Sequence, residues 1–232
     1  MNKEVIIGII FFSFIGIVFV TKYYFSKKAI VRRKLKKIVP KKISAVTNGE
    51  IAKIIGKVEI IGQPLKAPLS GRPCAYYYVL IEQSVSSGKS SHWETLIEEE
   101  VAGTFGIRDE RYCAQISSKE IKSYIVQDRN FSSGLLNDPS EELVNYLQQH
   151  GEKSETIFGF NKRMRFKEGI LEEGETIAVL GKGIWESASH EQWSDNYGNV
   201  LKITSTDKMP VYLSDDPKTA IINSHSLLCL LW

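Results

Sequence analysis

Cysteine is scarce in this chain, three residues among 232, and Cys74, Cys113 and Cys229 are spaced too widely for a C-x-x-C pair. A disulfide framework and a thiolate zinc site both need more, so reduced, buried thiols are expected. Histidine is scarce too. His92, His150, His190 and His225 never fall at the i, i+4 spacing with which a helix offers two ligands, so no metal site is expected. Phosphate-loop and dinucleotide patterns are also missing. SGKS (residues 87–90) resembles the end of a phosphate loop, but the glycine needed five residues before its Gly-Lys is replaced by Gln83. It is expected at a hairpin tip, and GKG (residues 181–183), with no third glycine and no helix start after it, as a turn. Glu98, Glu99 and Glu100 alternate across a predicted strand and so cannot share one cleft, whereas paired acid and base need two carboxyls held together. They are expected as solvated surface. No catalytic set and no cofactor emerge, and a non-enzymatic protein is expected.

Acid is nearly absent from the first 42 residues. They hold eleven Lys/Arg and one Glu, net +10, leaving net −7 on residues 43–232. A body of that sign argues against nucleic-acid binding, which needs a clustered basic surface. What residues 5–25 do contain is one apolar run, VIIGIIFFSFIGIVFVTKYYF, broken only by Lys22 near its end. As a helix it rises roughly 30 Å, the thickness of a bilayer core, with Tyr23 and Tyr24 at the aromatic-belt position. It is too long for a signal-peptide core and lacks an A-x-A cleavage pattern. The collar after it, Lys27, Lys28, Arg32, Arg33, Lys34, Lys36 and Lys37, marks the cytoplasmic side and suits an anionic leaflet. The expected organisation is an anchor (1–25), a basic juxtamembrane linker (26–48) and a β-rich domain (49–232), with the N-terminus out and the domain cytoplasmic.

From residue 50 the pattern becomes that of strands. EIAKIIGKVEIIG is rich in Ile and Val, and Pro64 and Pro68 then interrupt the pattern. CAYYYVLIE (74–82) suits a strand buried on both faces, and with residues 93–101 it forms a long hairpin. Short strands are expected at 104–107, 112–116, 122–126, 163–166, 175–181, 184–187, 200–204 and 210–214, with a tight turn at DNYG (195–198). One helix stands out. Asp138 as N-cap, Pro139, and Glu141 at the third position open it, Gly151 closes it, and Leu143, Val144 and Leu147 share a side that can dock on a sheet. The terminal LLCLLW is too short to span and is expected as a last strand or a packed tail. The fold class is therefore mainly β, an antiparallel barrel or sandwich with one docked helix.

One segment is more specific. GKVEIIGQPLKAPLSGRPCAYYYVLIEQ (56–83) resembles the opening of the GIDE, or beside-a-membrane, domain of membrane-anchored E3 ubiquitin ligases of mitochondria and chloroplasts and of bacterial relatives. Later pieces come in the same order: Trp93, FGIRD (105–109), EEGETIAVLG (172–181) and PVYLSD (210–215). The resemblance covers residues 48–220 and implies a protein-binding module held close to a bilayer. The RING finger and second span of the ligases are not found, so the chain is similar to a bacterial-type member of the inner membrane, not to a ligase acting alone. Expected partners are the lipid bilayer and an unidentified protein, met through exposed aromatics: His92 and Trp93 beside the hairpin tip, and Trp193 and Tyr197 in HEQWSDNYG. The alternatives are an accessory subunit of a separate ligase or protease, and a barrel that binds lipid or a small ligand.

Overall fold

A computed structural model describes residues 3–88, 90–110, 112–118, 120–126, 129–132, 141–151, 163–188 and 198–216. In chain order the elements are α1 (Lys3–Tyr24), α2 (Lys27–Lys36), β1 (Pro40–Lys41), β2 (Ile51–Ile60), β3 (Leu65–Lys66), β4 (Pro73–Cys74), β5 (Tyr76–Ser87) and β6 (Ser90–Ala102). The chain continues through β7 (Phe105–Arg108), β8 (Cys113–Ile116), β9 (Ile121–Tyr124), β10 (Arg129–Ser132), α3 (Glu141–Gln149), β11 (Met164–Leu171), β12 (Thr176–Ser187), β13 (Asn199–Thr204) and β14 (Val211–Ser214). The fold is mainly β, as the strand patterns predict. Its centre is a closed barrel of five strands in the order β2-β7-β8-β13-β12, shut by pairing of β12 with β2. All its contacts are antiparallel except β8 with β13. That order, with its one parallel contact between β8 and β13, is the topology of an OB-type Greek-key barrel.

Alternation fills the barrel. Ala52, Ile54 and Val58 from β2, Phe105 and Ile107 from β7, Ile177 and Val179 from β12, and Leu201 and Ile203 from β13 meet inside, all essentially without solvent contact. Glycine is required where strands crowd. A Cβ at Gly56 would lie 2.6 Å from the Arg108 carbonyl oxygen, and one at Gly181 would lie 2.5 Å from Ile203 Cγ2. The GKG stretch is accordingly not a turn but the middle of β12, its glycines admitting Ile203 and, at Gly183, Val46. True bends occur elsewhere, at Gly62 (φ 82°) and Gly71 (φ 69°).

The segment that composition marks as a linker is built into the domain. Ser26 joins α1 to α2, its hydroxyl donating to the Tyr23 carbonyl and accepting from the Ala29 N–H, and the helices bend by 58° there. Val31 and Leu35, four residues apart, are wholly buried against Ala178, Leu180 and Tyr212 on the outside of the barrel. Each such side chain contributes about 1.5–3 kcal/mol. The chain then pairs as β1 with β2 and plugs the barrel end with a 3-10 turn at Ile43–Ala45, whose Ile43 N–H donates to Asp109 Oδ2 at 2.6 Å. Among the described residues no single helix is long and apolar enough to cross a membrane; residues 10–24 and 27–36 meet that requirement only as a bent pair.

A second sheet, in the order β10-β11-β5-β6, stands beside the barrel. On it lies α3, the predicted helix, through Leu143, Tyr146 and Leu147 against Val79, Ile81, Ile97, Met164 and Phe166. Its predicted cap, Asp138 and Pro139, lies outside the described residues, as do the DNYG turn up to Tyr197 and the LLCLLW tail.

Gly56→Ala keeps an accessible backbone conformation but drives a methyl into main chain that cannot rotate away. It is expected to cost about 1–3 kcal/mol, lowering the thermal midpoint by roughly 2–4 °C per kcal/mol. An unchanged midpoint in detergent-solubilised protein would show that β2 and β7 are not this close.

Candidate functional site

The hairpin sheet presents two worked surfaces. In the β5–β6 register Tyr76 faces Ala102, Tyr77 faces Val101 and Tyr78 faces Glu100. Each tyrosine hydroxyl reaches the diagonal neighbour two residues away, a distance long side chains span. Tyr76 donates to Glu100, Tyr77 to Glu99 at 3.2 Å, and Tyr78 to Glu98 at 3.2 Å. Three consecutive tyrosines thus meet three consecutive glutamates. The predicted alternation holds, with Glu99 on one face and Glu98 and Glu100 on the other; Glu98 lies on the solvated surface as expected, whereas Glu99 and Glu100 are half-buried, which corrects the expectation for those two. Glu99 also accepts from Tyr146 of α3 at 2.7 Å, so it ties the helix to the sheet. Glu100 takes Ser123 as well, at 3.3 Å, and pairs with Lys27.

Beyond this ladder the outer face carries Trp93. Its ring is 40% exposed and lies over the Arg165 guanidinium at 4.3 Å. Arg165 is itself forked onto Glu82, Nε at 2.5 Å and Nη2 at 2.7 Å, and Lys167 adds a contact at 3.1 Å. The Arg165 hydrogen bond holds the Glu82 carboxyl below its ordinary range. A planar guanidinium fixed by a bidentate carboxylate is a rigid support for an aromatic ring. Trp93 therefore stays on the surface rather than in the core. His92 is exposed next to it, opposite Val85. Trp193 and Tyr197 lie outside the described residues, so of the two predicted aromatic elements only the hairpin pair is placed. Arg165 and Glu82 carry no mark in the sequence. The hairpin pairing places them near Trp93 only once β11 joins β5, a contact 83 residues apart in sequence.

The basic collar divides. Lys27 pairs with Glu100 and lies over Tyr78; burial lowers its pKa, against the pull of Glu98. Lys28 sits 4.6 Å over the Tyr124 ring, and Arg32 holds the buried Asp216 at 2.8 Å through Nε and 2.5 Å through Nη2. Arg33 stacks on Tyr24 at 3.6 Å, while Lys34, Lys36 and Lys37 are exposed. Lys27, Lys28, Tyr78, Glu100, Ser123 and Tyr124 line a cleft of about 510 Å3 at the first turn of α2.

Cys74 and Cys113 are free and buried; burial first, then neighbouring carboxylates, push their thiols to about 11 and about 12. Cys229 is outside the described residues. No group of three His, Cys, Asp or Glu among the described residues could hold a metal ion. Residues of the motifs at 56–83, 105–109, 172–181 and 210–215 make contacts that hold the fold. Asp109 accepts from Ile43 and Tyr112, Arg72 forks onto Glu172, and Asp215 accepts from the Val126 N–H. Comparison with protein-family models, curated proteins and solved structures returns no match.

The buried phenols and thiols set an alkaline limit. Burial raises Tyr76 to about 12 and raises Tyr77, Tyr78 and Tyr146 as well. A group whose folded pKa is raised contributes stability that is complete below its unfolded pKa, about 8.5 for Cys and 10 for Tyr. That stability disappears as pH climbs through the folded value. Urea midpoints should hold from pH 7 to about 8.5 and fall steeply between about 9 and 12. A flat profile over that interval would contradict the buried ladder.

Proposed function

We propose that this chain is a single-pass, membrane-tethered interaction module without catalytic activity, its barrel held against the cytoplasmic leaflet of a bacterial inner membrane, where it recruits a protein partner. The observation that carries the reading is the contrast between consecutive helices. Along α1 the apolar side chains point outward on every side, Phe12 at 75% and Phe19 at 71% exposure, with Ile7, Ile10, Phe11, Phe14, Ile17 and Val20 alongside. Apolar exposure on that scale calls for a cover. Two residues later α2 is sealed onto the barrel, so it is not free to supply half of a span. The two helices meet the length and apolarity requirement only together, and with α2 held on the barrel we assign the crossing to α1, whose 22 residues rise roughly 33 Å. The positive residues after it orient it with the N-terminus outside.

Partner recognition is assigned to the hairpin, where Trp93 on Arg165 with His92 beside it supplies an exposed aromatic of the kind that dominates interfaces. The likeness to GIDE domains in residues 56–83 supports the same reading. Ligand binding inside the barrel finds less support, because the interior is filled by side chains.

Two measurements test this. After a carbonate wash the full chain should remain with the membrane pellet, and in inverted vesicles its barrel should be open to protease; release into the wash would remove the anchor. A photo-crosslinker placed at His92 in native membranes should capture a specific neighbour, and Trp93→Ala should reduce that capture by about fivefold or more, as loss of an interface anchor does. An enzyme recovered in stoichiometric amount would make the chain an accessory subunit. No neighbour above background would end the recruitment reading.

A further inference from the structure

We infer that Arg33, stacked on Tyr24 where α1 meets α2, forms a site for the phosphate of an anionic phospholipid in the leaflet; the inference rests on the reading of α1 as a bilayer span. The basic residues of α2 are not equivalent. Lys27 and Arg32 are neutralised by Glu100 and Asp216, and Lys28 is covered by Tyr124. The Arg33 side chain has no hydrogen bond or ion pair to any described residue: its Nη1 is sealed without an acceptor, while Nε and Nη2 are not sealed. A half-buried guanidinium with no partner calls for an explanation.

The stacking shows what completes it. The Tyr24 ring covers one face of the guanidinium, and with Nη1 sealed the edge left open to an acceptor is the one carrying Nε and Nη2. That edge suits a tetrahedral anion with two oxygens side by side. Tyr24 closes α1, next to Tyr23 and two residues from Lys22. In a membrane this is the depth of the headgroups, and the anion available there is the lipid phosphodiester. Lys36 and Lys37 come three and four residues after Arg33, one turn along the same side of α2, and with Lys34 they are exposed and carry no ion pair among the described residues. They add attraction to an anionic surface, while Arg33 supplies the geometry. Free inorganic phosphate offers the same oxygens but no acyl chains for the apolar flank of α1, so the lipid is the occupant.

The test uses the full chain reconstituted in vesicles of phosphatidylcholine alone or mixed with phosphatidylglycerol, with the lipids it retains after mild extraction counted by native mass spectrometry. The wild type should keep phosphatidylglycerol in preference to phosphatidylcholine. Arg33→Gln should reduce that preference about fivefold, the factor expected for one basic residue at an anionic surface, and Lys57→Gln, an exposed barrel lysine, should not. Should Arg33→Gln perturb folding by circular dichroism, Tyr24→Leu removes the stacking platform while keeping apolar bulk, and the same loss is expected. Wild-type preference in a folded Arg33→Gln or Tyr24→Leu chain would overturn the site, and so would displacement of the lipid by millimolar inorganic phosphate. A chain that fails to float with either vesicle would instead overturn the membrane reading itself.

Discussion

Everything else in this molecule depends on the seating of α2 on the outside of the barrel. Val31 and Leu35 pack on β12 and β14, and Arg32 grips the buried Asp216 just past the end of β14. The hydrophobic contact fixes where the helix lies, and the ion pair, shielded by its low exposure, fixes how it is turned. Ser26 caps both helices at the joint. An apolar helix ahead of a flexible linker would leave the barrel free to tumble. Here α1 joins the docked α2 at the Ser26 corner, so under the proposed function one set of domain surfaces faces the membrane.

The corner also reaches the second sheet. Lys27 meets Glu100, and Glu100 is the near end of the tyrosine–glutamate ladder. Through Glu99 the ladder fixes α3 on one face of the sheet, and along β5 and β6 it leads outward to the Trp93–Arg165–Glu82 stack. Polar groups of this density in a half-buried sheet are tolerated because each finds a partner. The result is a stiff arm from the barrel to an exposed aromatic, which is what a recognition element needs in order to bind without a large ordering cost.

Much of the barrel could be read from the chain. Alternating Ile and Val in residues 51–60 and the aromatic strand with its polar tip mark real elements, and Leu143 and Leu147 mark the docking side of α3, where Tyr146 rather than the expected Val144 completes the contact. Closure and crowding could not be read. GKG looks like a turn by composition, yet its glycines are there because Ile203 and Val46 come from elsewhere to fill the space. The run KKAIVRRKLKK looks like a charged linker because its lysines and arginines dominate it. Its apolar residues at i and i+4, Val31 and Leu35, are all that betray a docked helix. Among the surface residues, Trp93 was legible as an aromatic beside a turn, whereas its support, Arg165, depends on a pairing 83 residues distant. The division of the collar into paired and unpaired cations is likewise a property of the folded acids, Glu100 and Asp216, and has no trace in the local sequence.

The claim that α1 lies in the bilayer while α2 belongs to the barrel is tested most directly by scanning single nitroxide labels along residues 7–20 of the reconstituted chain. Collisions with oxygen and with a water-soluble nickel chelate are measured at each position. Oxygen access and nickel exclusion are expected at every position on every side of the helix, with the order reversed at Lys34. A 3.6-residue periodicity with one protected stripe, or nickel access at Phe12 and Phe14, would contradict it.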